Sequence, residues 1–447
     1  MALQASLLRK DLSDLLRLAG PVALARLGIM AMGLTDVIIV GRYSSVELGF
    51  MALSWGLTSV ILTAAVGVLA GVQVLTARYT GQGRPELSGG VLRRGVIYAA
   101  WIGVASAGLL ILFGPALLRA FNLQDGLAEG AAPSLRIFSL SLAPYLIATA
   151  AILYLEALGR TGPGVAAMWA ANAINIGLDL WLVPGGFGIE AQGAIGAAWG
   201  TLGARVALAA ALLVYIARMK DARALGVFDR PRDGRAAAIE QRRIGYGAGA
   251  SQFVEAAAFS GMNVVCGWIG ALAVAGWAVV LNVSAIVFMV SMGLSTAAGV
   301  LVSRAYGARD KAAMARAGLV GVGAATVYGA AAAMVTALAA PLIASAYATD
   351  RALVRLAAVG LTLSGLFFAV DAIQVVVAQA LRARGDVVAP TITHVISYAG
   401  VMLPLGWLLA IPMRMGLAGA VWAVIVASFI SAGLLSWRFA ALVRRDR

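Results

Sequence analysis

The sequence predicts an all-α integral membrane protein, with twelve transmembrane helices arranged as two pseudo-symmetric six-helix lobes. Three observations carry that prediction. The chain is 62% hydrophobic and 12% charged, with a mean hydropathy of +0.91, far from the composition of soluble domains. Its apolar residues gather into twelve runs, each near the 20 or so residues of helix that cross a hydrocarbon core of roughly 30 Å. Short segments of the first half also recur in the second at a nearly constant offset. The runs are too long for strands and lack polar/apolar alternation. With 53 glycines in 447 residues, the helices can approach one another closely.

Taken in order, span 1 (15–40) opens after Arg9, Lys10, Asp11 and Asp14, bends at Gly20-Pro21, and carries Arg26 and Asp36. No small-residue cleavage site follows, so no removable signal peptide is expected. Span 2 (50–76) is apolar but for Gln73 and scattered Ser and Thr, and span 3 (92–118) is apolar after Arg93 and Arg94 at its start. Span 4 (133–157) ends on Glu156, beside the Gly159-Arg160 turn, where a structural role is expected. Span 5 (163–183) carries Asn172, Asn175 and Asp179 before Pro184-Gly185-Gly186, and span 6 (193–217) carries Arg205. In the second half, span 7 (244–269) holds Gln252, Glu255, Phe259 and Asn263, and span 8 (273–302) holds Asn282, Met289 and Met292. Span 9 (317–345) is apolar, span 10 (353–381) contains Ser364, Asp371 and Gln374, span 11 (390–411) contains His394, and span 12 (416–440) closes the set.

Between spans 6 and 7 lies the longest polar stretch, Arg218–Arg243, with eight basic and four acidic residues. It reads as a solvated cytoplasmic linker, 218–243, dividing an N-terminal lobe (1–217) from a C-terminal lobe (244–447). Of the 34 Lys and Arg residues, 26 fall in or beside segments that are cytoplasmic if the N-terminus is inside, six in external ones, and two (Arg26, Arg205) within spans. The positive-inside rule therefore puts both termini in the cytoplasm of a bacterial-type inner membrane, the C-terminal Arg444-Arg445-Asp446-Arg447 included. The net charge of +14 is explained by topology and attraction to anionic lipids, which excludes nucleic acid as a partner.

The two halves resemble each other. Leu75-Thr76-Ala77-Arg78-Tyr79-Thr80-Gly81 matches Leu301-Val302-Ser303-Arg304-Ala305-Tyr306-Gly307 at an offset of 226. Glu156–Gly162 matches Gln379–Gly385 at 223, and Gly193, Gly196, Ala197 and Trp199 map onto Gly416, Gly419, Ala420 and Trp422 at the same 223. Six spans per half means both enter the membrane the same way up. The symmetry axis is then expected along the membrane normal, with a central cleft between lobes.

The chemistry is expected at acids inside the spans. A charge at the bilayer centre costs about 2.5–3.5 kcal/mol on insertion scales, so such residues face a bundle interior or an aqueous path. Gln252, Glu255, Phe259 and Asn263 share one face of span 7. Glu255 and Asp371 each lie about eleven residues, roughly 16 Å, from a cytoplasmic helix end, so they can share one depth. Two carboxylates in a poorly hydrated site do not both stay ionised easily, so the pair would hold a proton or a cation. In the first half, Asn172, Asn175 and Asp179 follow i, i+3, i+7 on span 5, at a depth comparable with Asp36. Carboxylate and amide oxygens suit a proton or Na+ equally. Arg26 pairs with an acid, contacts cargo or packs; His394 reads as a packing residue; Met289 belongs to an adaptable apolar lining or to ordinary core. One Cys and one His exclude an internal disulfide, a His-rich metal site and the usual His-based membrane enzymes.

These residues resemble one family. Pro21 through Gly41, the Glu255 helix with Asn282-Val283-Ser284, Asn172–Asp179, and Asp371 followed by Gln379-Ala380-Leu381-Arg382-Ala383-Arg384-Gly385-Asp386 are together similar to the multidrug and toxic compound extrusion (MATE) family, the NorM-type branch above all. The likeness covers all twelve spans. It implies a V-shaped pair of six-helix lobes and export driven by re-entry of Na+ or H+, with no other cofactor. It also implies that Glu255 and Asp371 are the C-lobe cation-site acids, where Na+ would bind. Asp36 corresponds to the span-1 acid, and Asn175 and Asp179 to the N-lobe polar cluster of the DinF-type branch. Phe367 stands where relatives can carry a Tyr ligand, and Arg26 where a Gln is frequent.

The function expected is therefore a secondary antiporter, not an enzyme, that exports small amphipathic organic cations as a monomer among membrane lipids. Asp36, Asp179, Asn175, Glu255 and Asp371 would serve ion coupling, and Gln252, Asn263, Asn282, Arg26, Met289 and Gln374 would line the cargo cavity. The alternative is a flippase for lipid-linked precursors, which would need a basic cleft to hold pyrophosphate.

Overall fold

The computed structural model describes residues 2–120, 126–186 and 188–446, the side chains of 2–5 and 446 apart, so Arg447 of the C-terminal basic cluster lies outside the described residues. Nearly all of what it describes is helix; an isolated bridge between Gly186 and Ile189 is the only β pairing among the described residues. Among the described residues, eleven helical rods are long and apolar enough to cross a membrane. They are α1 (Ala2–Tyr43), α2 (Ser45–Gly81), α3 (Pro85–Ala120), α4 (Leu127–Leu158), α5 (Gly162–Leu182), α6 (Gly193–Ala217), α8 (Ala271–Gly307), α9 (Lys311–Tyr347), α10 (Arg351–Ala383), α11 (Val388–Ala410) and α12 (Gly416–Asp446). The twelfth predicted span is α7 (Gly234–Ile269), equally long but more polar, because it starts among Arg235, Glu240, Arg242 and Arg243 and carries Glu255 midway.

Several rods outrun the apolar runs. The first turns of α1 stay helical past Arg9 and Lys10, and Asp11 there accepts from Arg316 Nε at 3.1 Å. The helical path is interrupted at Leu69 in α2 and at Ser141 in α4. In α11 the turns widen into a π-helix over Val395–Met402, a form that concentrates at functional sites.

The chain forms two compact units, Leu24–Gly249 and Met1–Ala23 with Ala250–Arg447. It passes from one to the other inside helices, not in the polar linker. The first passage follows Pro21, which has no N–H to return to the preceding turn. The second follows Gly245 and Gly249, whose bare faces let α7 lie directly on α2: a Cβ on Gly249 would meet the Val68 side chain at 2.8 Å and Ala64 O at 2.9 Å.

Both units use the same packing contacts. Gly103 of α3 sits against the backbone of Ala143 in α4, and Gly329 of α9 sits against the backbone of Ala369 in α10, with no room for a Cβ at either glycine. Each member of the second pair lies 226 residues after its counterpart. Gly196 likewise abuts Leu182 and Val183, as Gly419 abuts Leu409 and Ala410. The repeat read from the sequence is thus a repeat of helix-to-helix approach.

The linker is a correction to the sequence reading. It is not a free solvated loop but is docked on the Leu24–Gly249 unit. Met219, Ala222 and Leu225, three residues apart, are buried in that unit's core, and Gly89 N donates to Leu225 O at 2.8 Å. Arg94 grips both Asp233 oxygens at 2.5 Å while Tyr79 OH donates to Oδ2 at 2.9 Å. Arg160 holds the Asp221 oxygens at 2.8 and 2.5 Å, and Arg78 pairs with Glu240. Burial works to raise Asp233, but hydrogen bonds from Arg94 and Tyr79 outweigh it and leave the carboxyl below its ordinary range. The Arg160 bonds lower Asp221 in the same way. Counting charges hid the apolar spacing that docks this segment.

Candidate functional site

In the Leu24–Gly249 unit, Asp36 on α1 and Asp179 on α5 meet in the interior, 3% and 0% exposed. Their carboxyls lie within hydrogen-bonding reach of each other. Asn175 Nδ2, one turn before Asp179, donates to Asp179 Oδ2 at 3.3 Å, and Thr201 Oγ1 on α6 donates to Asp36 Oδ2 at 3.1 Å. Asn172 is turned away into structure, its Nδ2 bonded to Gly28 O at 3.0 Å and Met168 O at 2.9 Å. Gly200 makes the pocket possible, because a Cβ there would overlap Asp179 Oδ1. The supply of donors stops short: Asp36 Oδ1, Asp179 Oδ1 and Asn175 Oδ1 are all buried without a partner. Such oxygens cost free energy unless something positive or a proton joins them.

Beside the pair lies Arg205, one turn beyond Thr201 on α6 and 3% exposed. Its NH1 donates to Ser141 Oγ at 2.8 Å, and its guanidinium covers the Tyr145 ring at 4.7 Å and the Trp55 ring at 5.4 Å. Asp36, Thr201, Arg205, Tyr145 and Trp55 border a void of about 10 Å³, otherwise walled by Ile29, Met32, Met168 and Leu208.

In the other unit, Glu255 on α7 and Asp371 on α10 are joined by one amide. Gln374 Nε2 donates to Asp371 Oδ1 at 3.2 Å and to Glu255 Oε1 at 3.5 Å, while Ser431 Oγ donates to Gln374 Oε1 at 3.2 Å. His394, the residue just before the π segment of α11, reaches the same place: Nδ1 is 2.8 Å from Ser251 Oγ and 3.8 Å from Glu255 Oε2. Arg382 NH2 donates to Ser251 Oγ at 2.8 Å. Tyr398, stacked edge-on against His394 at 5.4 Å, brings its hydroxyl close to Glu255 and Ser428. The sequence reading assigned no site role to Ser251, Arg382, Tyr398, Thr201 and Gly200 and gave His394 a packing role. Helical spacing was the available signal, since Ser251 precedes Glu255 by four, Tyr398 follows His394 by four, and Arg205 follows Thr201 by four.

Other candidates lie elsewhere. Arg26 is buried and turned to Glu156, NH2 lying 3.4 and 3.5 Å from its two oxygens, and Gln73 Nε2 donates to Glu156 Oε2 at 3.1 Å. Asn282 is exposed and accepts from Tyr347 OH at 2.6 Å. Asn263 is exposed and bonded to its own helix through Phe259 O at 3.5 Å. Gln252 and Met289 are half-buried, and no hydrogen bond joins any of these four to Glu255 or Asp371. Among the described residues no group of three His, Cys, Asp or Glu gathers as a metal cluster would.

Comparison with known proteins agrees with this architecture. A family model described as MatE matches the chain twice, over residues 21–181 and 248–408. "Probable multidrug resistance protein NorM" of Caulobacter vibrioides is 56% identical over 98% of this chain and 93% of its own length. Multidrug resistance protein PmpM of Pseudomonas aeruginosa is 28% identical over 90% of this chain and 85% of its own. Among solved structures, the outward-facing conformation of a multidrug resistance MATE family transporter of the MOP superfamily superposes with a TM-score of 0.89 at 19% identity, covering 99% of this chain and 98% of that one. The eukaryotic MATE transporter AtDTX14 gives 0.88 at 16% identity, covering 99% of both chains. At those identities the structures speak for the fold, and the sequence matches speak for descent. With one model covering both halves and a relative this similar along nearly the whole length, the chain belongs to the MatE family.

Proposed function

We propose that this chain is a secondary antiporter of the bacterial cytoplasmic membrane, with both termini inside, that exports amphipathic, mostly cationic compounds as H+ or Na+ re-enters. The observation that carries the reading is the Asp36–Asp179 pair: two carboxyls in reach of each other inside membrane-spanning helices, with three oxygens left without donors. A proton turns one carboxyl into a donor for the other, and Na+ would take the same oxygens as ligands. The pair is thus the seat of the coupling cation. Glu255 and Asp371, bridged by the Gln374 amide, supply the acidic groups that favour a cationic cargo in their own unit. Coupling follows if ion and cargo differ in affinity for two arrangements of the protein. The multidrug names of the relatives support the substrate class.

The flippase alternative is disfavoured by the embedded arginines. Arg26 is neutralised by Glu156, and Arg205 is held among Ser141, Tyr145 and Trp55, so neither offers a free cation to pyrophosphate. The test is efflux of a fluorescent organic cation from proteoliposomes under an imposed pH or Na+ gradient. One gradient should drive export in the wild type and fail to do so in Asp36→Asn. Correctly folded protein that responds to neither gradient would sink the antiport reading.

A further inference from the structure

We infer that Arg205 is a built-in counter-cation for the Asp36–Asp179 seat, a positioning residue that holds the seat's cation affinity low enough for release. The inference rests on the antiport reading above. A buried arginine in a membrane span is expensive, and this one is neither snorkelling to a helix end nor bonded to an acid. It is placed within electrostatic reach of Asp36, yet no hydrogen bond joins them. Three contacts keep it at that remove. Ser141 Oγ accepts from NH1, and the faces of Tyr145 and Trp55 hold the guanidinium plane. Ser141 is itself fixed by donating to Phe138 O at 2.7 Å. Arg205 Nε is buried without a partner, as is Asp36 Oδ1, and both side chains border the void of about 10 Å³, a volume at the threshold for a single water.

The charge balance explains why such a residue is useful. With its cation gone, the seat carries two carboxylates in a medium that screens poorly, a state so costly that the cation would not leave. A fixed positive charge nearby stabilises the empty seat and weakens the filled one. If it bonded Asp36 directly it would block refilling, and the Ser141 tether prevents that. The groups that face it are few: Asp36 from α1, Thr201 from α6, Tyr145 and Ser141 from α4, and the uncharged Trp55 from α2, while Asp179 and Asn175 of α5 adjoin Asp36. Arg26 also acts on Tyr145, but is itself paired with Glu156.

The test is ion-driven efflux from proteoliposomes as a function of external pH without Na+, and of Na+ at fixed pH, the arm that drives the wild type being the one compared. Arg205→Gln should tighten the seat: half-maximal drive moves to about tenfold lower cation concentration, one pH unit upward in the proton arm, and the maximal rate falls because release slows. Arg205→Lys should return the midpoint most of the way. Ser141→Ala, which frees the guanidinium to close on Asp36, should shift the midpoint the opposite way, and it stands as the test should Arg205→Gln fail to fold. Unmoved midpoints with only the amount of active protein reduced would overturn the counter-cation role and leave antiport intact. A wild type indifferent to both ions would overturn both.

Discussion

In the Leu24–Gly249 unit two carboxyls meet directly, with Asn175 and Thr201 alongside and three oxygens left without donors, whereas in the other unit the Gln374 amide stands between Glu255 and Asp371 and bonds to both. The scaffold beneath is duplicated down to individual glycine contacts, yet these sites are not copies. At the 226-residue offset Glu255 falls on Ile29, Asp371 on Tyr145 and Asp36 on Met262. Close helix approach is a backbone matter, so Gly103 and Gly329 cannot drift without parting their helices. A polar group needs only local partners and can move to another helix once those partners exist. Duplication therefore preserved packing and left each unit free to acquire its own charges.

The largest effect expected is at the donor-poor pair. Asp36→Asn should reduce gradient-driven efflux of every substrate to that of protein-free liposomes. Asp371→Asn should instead weaken cationic cargo more than uncharged cargo while the ion gradient still drives what transport remains. Measuring one cationic and one neutral dye against both variants decides it. Equal losses for both dyes in both variants would erase the functional distinction between the units.

Next comes a difference in how the halves handle a buried position. Arg26 and Glu156 form an ion pair in one half, and their counterparts at 226 and 223 are Gln252 and Gln379. Arg26→Gln strands the Glu156 carboxylate and should cost about 3–5 kcal/mol, read as a lowered unfolding temperature in detergent. The double change Arg26→Gln with Glu156→Gln installs the other half's neutral pair and should recover most of that loss. A single variant as stable as the wild type would show that the pair is not holding its helices.

A smaller effect is expected at Gly200, whose counterpart at 223 is Ala423. Gly200→Ala puts a methyl group against Asp179 Oδ1, an overpacking of about 1–3 kcal/mol at the site. Ion affinity should fall several-fold, with the unfolding temperature lowered by a few degrees at most, less the more freely the Asp179 side chain turns aside. Unchanged ion dependence would mean that Asp179 need not lie where it does.

The helices were legible in the sequence because length and hydropathy decide them, and the repeat was legible in part because it marks glycine contacts, Gly196 and Gly419, where a Cβ would meet the backbone of a neighbouring helix. Asp36, Asp179, Glu255 and Asp371 stood out because their cost in a membrane is visible without coordinates. Their partners were less legible. Ser251, Thr201 and Tyr398 are ordinary residues in ordinary helices until a neighbouring helix turns them toward an acid. The π turns of α11, which carry Tyr398, leave no compositional trace. The linker was misread because charge dominates its composition while three apolar residues at helical spacing, Met219, Ala222 and Leu225, decide where it lies.

The smallest effect belongs to that linker, where two clasps differ in burial. Arg94 and Asp233 are 10% and 2% exposed at their side chains, whereas Arg160 and Asp221 are 37% and 38% exposed. An exposed bidentate pair contributes under about 1 kcal/mol and is screened by salt, so Arg160→Gln should loosen residues 219–227 locally and leave the Arg94–Asp233 end closed. The sign of the pH dependence follows from Asp221, which Arg160 holds below its ordinary value. The clasp is fully effective above the unfolded carboxyl value of about 3.9 and is lost as pH falls through the lower folded value. Amide exchange over 219–227, corrected for intrinsic rates, should therefore quicken in the wild type below about pH 4 and on adding salt at neutral pH. In Arg160→Gln both responses should be largely gone, because the segment is already free of the clasp. If the variant keeps the wild-type acid response, Met219, Ala222 and Leu225 alone hold this end of the linker and the Arg160–Asp221 pair is incidental to its docking.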